Sequence, residues 1–233
     1  MRRGKLYRQA IEKFEPGKTY TLSDAVKLMR QSAHAKFNET VEAAVRLGVD
    51  PKKADQMIRG TTSLPHGTGK TIKVLVLTKG DKAKEAEEAG ADMVGAEDYI
   101  EKIKGGWAEV DVIIATPDMM GLVGQLGKIL GPKKLMPNPK SGTVTMDLAR
   151  AVKAVKAGKI EYRVDKTGNI QVGLGKLSFS DDQIVDNLRT FFTAIMRARP
   201  STAKGTYLKN ASLSSTMGPG IKLDTNEITT LGK

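Results

Sequence analysis

Two kinds of hydrophobic pattern share this chain, and their order constrains the fold more than any single motif does. Towards the amino end, Phe37, Val41, Ala43, Val45, Leu47 and Val49 fall on one face of an extended segment, and Asn38, Thr40, Glu42 and Arg46 on the other. That alternation is the pattern of a half-buried strand. Towards the carboxyl end, 160–164 and 170–174 flank the turn Asp165-Lys-Thr-Gly-Asn169 and predict a hairpin, and 205–215 predicts one more strand. Between these ends the character changes. Residues 71–77 and 110–115 read as buried strands and 91–94 as a short one, with helices over 82–90, 98–104, 117–129 and 146–158. Strands alternating with helices predict a parallel sheet between helical layers.

Sheet chemistry of one kind at both ends, around a block of another kind, predicts an inserted domain. The expected class is α/β: a split α+β domain from 1–66 and 159–233, and an inserted three-layer, Rossmann-like α/β domain over 67–158. Two crossings of the chain would form the hinge, at Pro65, His66 and Gly67 and again at Gly158 and Lys159. The split domain adds two helices. One spans 20–29, capped by a Ser or Thr, with Leu22, Ala25, Val26 and Met29 at helical spacing. The other opens at Ser180, runs to about Ala198, and carries Ile184, Val185, Leu188, Phe191, Phe192 and Ile195 on one stripe.

Charge narrows the partners. The net charge is +12, and residues 1–66 (13 Lys/Arg, 7 Asp/Glu) and 159–233 (11 and 7) hold +10 of it. A body assembled from both ends is therefore basic, which favours a polyanion, and nucleic acid is the abundant one. With no cysteine, thiolate metal sites, disulfides and Cys nucleophiles are excluded, and two histidines (His34, His66) leave little for a metal site. No apolar run reaches membrane-spanning length, and the start Met-Arg-Arg-Gly-Lys-Leu lacks the apolar core of a secretory signal. The expectation is a cytoplasmic protein with no metal, no cofactor, no small-molecule substrate and no membrane partner.

Motifs for catalysis are weak. Pro65-His-Gly-Thr-Gly-Lys-Thr71 resembles a phosphate loop, but Leu64 stands where the pattern needs its first glycine, and a strand rather than a helix follows. The inserted block has no G-x-G-x-x-G, so a nucleotide-dependent enzyme is the lesser alternative. The most unusual stretch is Gly127–Thr143, with three prolines, three glycines and four lysines and no acid between Asp118 and Asp147. Pro132, Pro137 and Pro139 predict a stiff basic loop, anchored by Leu130, Leu135 and Met136. Polyanion contacts are better supported, from 36–40, 163–167 and 215–219, where short polar side chains sit beside basic or apolar ones. With five Phe, five Tyr and one Trp the chain is no aromatic stacking platform, so shape and backbone recognition of folded RNA is expected.

These blocks also resemble a known family. Leu130-Gly-Pro-Lys-Lys-Leu-Met-Pro-Asn-Pro-Lys-Ser-Gly-Thr143 is similar to the signature of ribosomal protein L-one, found in the lateral stalk of the large subunit. Ala35–Glu42, Ser63–Gly67, Ala115–Asp118, Asp165–Gly168, Ala203–Thr206 and Ser215–Pro219 resemble its other blocks, in order over about 5–223, in the bacterial form. The resemblance implies a non-enzymatic ribosomal protein that binds large-subunit (23S) rRNA and helps deacylated tRNA leave the exit site. It also implies a repressor that binds its own operon mRNA. Carried onto matching positions, the rRNA contacts are Lys36, Phe37, Thr40, Glu42, Asp165, Lys166, Thr167, Ser215, Thr216, Met217 and Gly218, with Arg163 where the family has a basic residue. Lys133, Lys134 and Lys140 of the proline loop stand as a secondary RNA contact, with the hinge, rRNA and tRNA all open as the surface they face.

Overall fold

The computed structural model describes residues 4–15, 17–80 and 82–231; residues 1–3, and with them the start of the basic amino terminus, lie outside that range. In chain order the elements are α1 (Lys5–Ile11), β1 (Thr19–Tyr20), α2 (Leu22–Ser32), β2 (Thr40–Leu47), β3 (Arg59–Ser63), β4 (Val74–Leu77), α3 (Lys82–Glu88), β5 (Met93–Gly95), α4 (Glu97–Lys104) and β6 (Val112–Ala115). There follow α5 (Met120–Gly124), α6 (Gly127–Leu130), α7 (Leu148–Lys156), β7 (Lys159–Arg163), β8 (Asn169–Lys176), α8 (Asp181–Arg197), β9 (Leu208–Ser215), β10 (Ile221–Leu223) and α9 (Thr225–Thr230). The chain divides into two compact units, one of 1–70 with 160–233 and one of 71–159.

The split unit is built on a five-stranded sheet in the order β1-β10-β9-β2-β8, with β2 antiparallel to both β9 and β8. Along β2 burial alternates strictly: Val41, Ala43, Val45 and Leu47 are buried, while Glu42 and Arg46 are exposed. The buried row faces α2 and α8. Thr21 starts α2 by accepting the Asp24 N–H at 3.2 Å, and Leu22, Ala25, Val26 and Met29 then turn to the core. Ser180 and Gln183 form a reciprocal capping box at the start of α8, whose whole expected apolar stripe is buried.

Three differences from the sequence reading have local causes. The strand at 160–164 does not close a hairpin with 170–174; β7 pairs with β3 in a separate two-stranded sheet, and β8 pairs with β2. β3 escapes a pattern search because Arg-Gly-Thr-Thr-Ser shows no alternation. Its glycine is dictated by packing: a Cβ on Gly60 would stand 2.6 Å from the Tyr162 hydroxyl. Phe37 lies before β2 rather than in its buried row and is 56% exposed. The carboxyl end after Gly220, which pattern reading leaves unassigned, supplies β10 and α9. Ile221, Leu223 and Ile228 are buried in the same core.

The inserted unit has three parallel strands in the order β5-β4-β6. All four residues of β4 are fully buried, and they serve two cores by alternation. Leu75 and Leu77 join Ile103, Val123, Leu126 and Leu130 on one face; Val74 and Val76 join Ala86, Leu148, Val152 and Val155 on the other. That is the three-layer arrangement. The helix expected over 117–129 breaks into a short turn at Pro117–Met119, then α5 and α6. Glycines at 121, 124 and 127 explain the break, because each weakens an α-helix by about 1 kcal/mol relative to alanine.

One buried amide holds the connection leaving β3. Asn187 on α8 has no exposed surface; its Oδ1 accepts the His66 N–H at 3.2 Å, and its Nδ2 donates to the carbonyls of Gly67 (2.9 Å) and Leu174 (2.8 Å). Asn187→Leu keeps the branch at Cγ and strands three backbone groups. It should destabilise the split unit by about 3 kcal/mol, since each buried group left unpaired costs roughly 1–3 kcal/mol. Urea unfolding followed by circular dichroism measures this, and an unchanged midpoint would show that the clamp contributes nothing.

Candidate nucleic-acid interface

The helices of the split unit cover one face of the five-stranded sheet, and the other face is a row of small and polar side chains. Outward from β2 stand Thr40, Glu42, Ala44 and Arg46. Ser214 and Ser212 on β9 pair with Glu42 and Ala44, and Gly173 and Gln171 on β8 pair with the same two residues from the other side. No aromatic ring stands in that row. Such a surface offers hydroxyls, amides and open backbone to a partner, rather than a ring on which a base could stack.

At the end of the sheet where β2 starts, three loops are tied together around a buried glutamate, two of them by its carboxylate. Glu39 is 0% exposed; one of its oxygens accepts the Ala35 N–H at 3.1 Å and the other the Met217 N–H at 2.9 Å. Its backbone carbonyl accepts from Leu177 N–H at 3.0 Å. Beside it the Thr40 N–H donates to the Thr216 hydroxyl at 2.9 Å, and the Lys176 ammonium donates to the Thr40 hydroxyl at 2.7 Å. Asn38 and Ser178 exchange two further bonds. Two large apolar side chains of these loops stand in solvent, Phe37 at 56% and Met217 at 51% exposure, with Lys36 exposed next to Phe37. Burial pushes the Glu39 carboxyl up, but the N–H donors of Met217 and Ala35 outweigh it and hold the group below the usual range. Sequence reasoning passes over Glu39, although the signal is present. Its position shares the parity of Val41, Ala43 and Val45, the buried row.

Of the expected contact residues, Lys36, Phe37, Thr40, Ser215, Thr216, Met217 and Gly218 come together at this end, with Glu42 one step along the outer face. Arg163, Asp165, Lys166 and Thr167 do not. The register pairs Thr40 with Lys176 and Arg46 with Asn169, and the Gly168 carbonyl accepts from Leu47 N–H at 2.8 Å, so that turn lies at the far end of β2. Six residues of strand separate the two groups, about 20 Å. In the turn, Asp165 Oδ1 accepts from the Thr167 hydroxyl (2.7 Å), Thr167 N–H (2.8 Å) and Asn169 N–H (2.9 Å). The Thr167 hydroxyl bond and the Asn169 N–H chiefly hold the Asp165 carboxyl below its ordinary value. Lys166 is left exposed at the tip. Near this end lies a depression of about 410 Å³ whose lining includes Lys53, Lys204 and Lys209, three lysines with no ion pair among the described residues.

The remaining candidates sit apart from both groups. Pro65, His66 and Gly67 are bound to α8 by Asn187, with His66 Nε2 3.3 Å from Asp186 Oδ2. Gly158 (φ 96°) ends α7 with its N–H on the Val155 carbonyl, and Lys159 begins β7. In the inserted unit Asn138 organises the proline loop: its carbonyl accepts from Ser141 and Thr143, and its Oδ1 from Lys140 N–H. Lys133, Lys134 and Lys140 are exposed there, while Leu130 is buried and Leu135 and Met136 pack on the core, as their anchoring role requires. Among the described residues no group of three His, Asp or Glu could hold a metal ion, and no helix is long and apolar enough to cross a membrane.

A carboxyl depressed in the folded state contributes stability that is complete above its unfolded value and is lost as pH falls through the folded one. Glu39→Gln should therefore lower the stability of the split unit by about 2 kcal/mol at neutral pH, because an amide NH₂ meets a backbone N–H donor. The gap to wild type should narrow on acidification, as wild type loses the same contribution. Urea midpoints compared from neutral to acidic pH test this, and a gap constant with pH would rule out the carboxylate as its source.

The split unit thus combines a sheet face without stacking rings, clamped loops at one end and exposed lysines at the other. The family model described as the ribosomal protein L1p/L10e family matches residues 29–219, which takes in the whole inserted unit and most of the split one. The chain therefore belongs to the ribosomal protein L1p/L10e family, proteins of the large ribosomal subunit.

Proposed function

We propose that this chain is a structural, non-catalytic, cytoplasmic component of the ribosome that binds 23S rRNA through the outer sheet face and clamped loops of its split unit. The observation that carries the reading is the Glu39 clamp, which fixes two loops with their backbone satisfied and their large side chains in solvent. A binding surface held in one geometry before the partner arrives loses little conformational entropy on binding. Phe37 and Met217 supply apolar contact, and Lys36 and Lys176 supply charge. Thr40, Thr216 and Glu42 supply acceptors for 2′-hydroxyls and base amino groups. Arg163, Lys166 and the turn around Asp165 form a second contact with the same RNA, about 20 Å away along β2.

Two further roles rest on family membership. Helping deacylated tRNA out of the exit site is assigned to the chain as a whole, with Lys133, Lys134 and Lys140 as a secondary RNA contact on the inserted unit. Repression of its own operon mRNA uses the split-unit surface, on an RNA fold like the rRNA one. Because Asn187 fixes the chain at His66 and Gly67, the flexing of the first crossing belongs just beyond, around Gly69 and Lys70; that of the second belongs at Gly158 and Lys159.

Thr216 tests the reading. Its hydroxyl accepts from Thr40 N–H, so Thr216→Val removes both an RNA partner and a tie between loops. The full chain carrying Thr216→Val should bind a 23S rRNA stem-loop fragment about five- to hundredfold more weakly, the equivalent of roughly 1–3 kcal/mol. The salt dependence should be unchanged, because no phosphate-neutralising charge is lost. Lys140→Ala should change that affinity far less. Filter binding at several salt concentrations measures both, and a result in which Lys140→Ala abolishes binding while Thr216→Val does not would move the rRNA site to the inserted unit.

A further inference from the structure

All the sulfur in this chain is thioether: ten methionines and no cysteine. A peroxide therefore meets no thiolate to react with first, and its target is whichever methionine sulfur is open and electron-rich. Met29 and Met119 are buried, each at 1% exposure, whereas Met57, Met146 and Met217 are the strongly exposed ones among the described residues, at 43%, 53% and 51%. Two of those three sulfurs already face a cation. The Arg163 guanidinium donates to the Met57 sulfur at 3.8 Å, and the Lys82 ammonium to the Met146 sulfur at 3.4 Å. A cationic donor on a sulfur lone pair lowers its nucleophilicity. The Met217 sulfur has no such donor among the described residues.

The backbone carrying Met217 is also tied in place. Its N–H is held by the buried Glu39 carboxylate at 2.9 Å, and the next N–H, from Gly218, is held by the Ser215 carbonyl at 3.1 Å. The thioether is thus presented to solvent by a fixed loop.

We propose that Met217 is a reversible oxidation site through which peroxide weakens RNA binding; this rests on the reading that the 215–218 loop meets RNA. In the step, a sulfur lone pair attacks one oxygen of hydrogen peroxide, an S–O bond forms and the O–O bond breaks. The departing hydroxide takes the proton from the transferred oxygen and leaves as water. Sulfur is oxidised by two electrons to the sulfoxide, and the peroxide is reduced to water. The product replaces an apolar, pliable contact by a polar, pyramidal group that must keep its hydration, on a loop unable to shift aside. A methionine sulfoxide reductase, drawing its electrons from a thiol, returns the thioether.

The full chain is treated with hydrogen peroxide, its oxidised positions are followed by mass spectrometry, and its affinity for the 23S rRNA fragment is measured before, after, and after reductase treatment. Met217 should oxidise ahead of Met57 and Met146, affinity should fall about tenfold with it, and reductase should restore it. Met217→Leu, whatever its starting affinity, should lose none of it to peroxide, while Met57→Leu should stay as sensitive as wild type. Loss of affinity in Met217→Leu equal to that of wild type would overturn the proposal, as would full affinity in protein oxidised at Met217. Met217→Ala without peroxide separates the two readings. If it binds as wild type does, the loop does not meet RNA and both fall. If it binds weakly while the sulfoxide form binds fully, the RNA surface stands and the switch falls.

Discussion

A buried glutamate holds one end of the split unit's sheet together. A carboxylate with no exposed surface is costly unless its oxygens find donors, and Glu39 finds backbone donors on two different loops. That requirement fixes the geometry in a way apolar packing would not, because hydrogen bonds to a charge tolerate little displacement. The consequences run outward. With the Ala35 and Met217 amides satisfied by one side chain, the loops carrying Phe37 and Met217 need no partner for that backbone, and their side chains stay in solvent. Two of the chain's exposed large apolar side chains thus stand on loops tied to one carboxylate.

The same economy of donors operates in the inserted unit. There the stiff element is the proline loop, in which prolines remove amide donors and Asn138 satisfies much of what remains with its carbonyl and side chain. The loop then returns beside β6, where Val144 forms a parallel bridge to Ala115. Its lysines are displayed on a segment whose backbone is already occupied.

Much of this was legible from residue type and spacing. The outer and inner faces of β2 follow from alternation, the stripe of α8 from its helical period, and the parallel core of the inserted unit from uninterrupted apolar runs at Val74–Leu77 and Val112–Ala115. Pairing was not legible in the same way. Nothing in Ile160–Val164 announces that its partner is the patternless Arg59–Ser63, because that choice is made by Tyr162 packing over Gly60 and against Phe191, contacts distant in sequence. The candidate contact residues could be read as types but not as an arrangement. β8 and β9 both run antiparallel to β2, so Asp165–Thr167, before β8, and Ser215–Gly218, after β9, are sent to opposite ends of it. Glu39 was missed for a related reason: an acid in a strand's buried register looks like an error until the loop that satisfies it is seen.

The acids of the proposed interface raise an apparent conflict, since carboxylates repel phosphates, and the register resolves it. Glu39 and Asp165 are both held below the ordinary carboxylate range by hydrogen-bond donors, so both stay ionised, with the two Glu39 oxygens and the Asp165 Oδ1 already taken up by donors of the adjoining loops. Lys36 and Lys166, beside them in sequence, are exposed and carry no ion pair among the described residues. Each loop therefore couples an acid that sets its shape to an exposed base. Within a Debye length of about 8 Å at physiological ionic strength, an anion approaching either loop meets an exposed ammonium, and the bonded oxygens of the neighbouring carboxylate already face oriented donors. Glu42 is the exception, exposed on the sheet face between Ser214 and Gly173 with no donor of its own among the described residues. An acceptor left open there suits a 2′-hydroxyl or a base amino group better than a phosphate, so in the proposed complex the middle of β2 would face sugar edges and its two ends the phosphates.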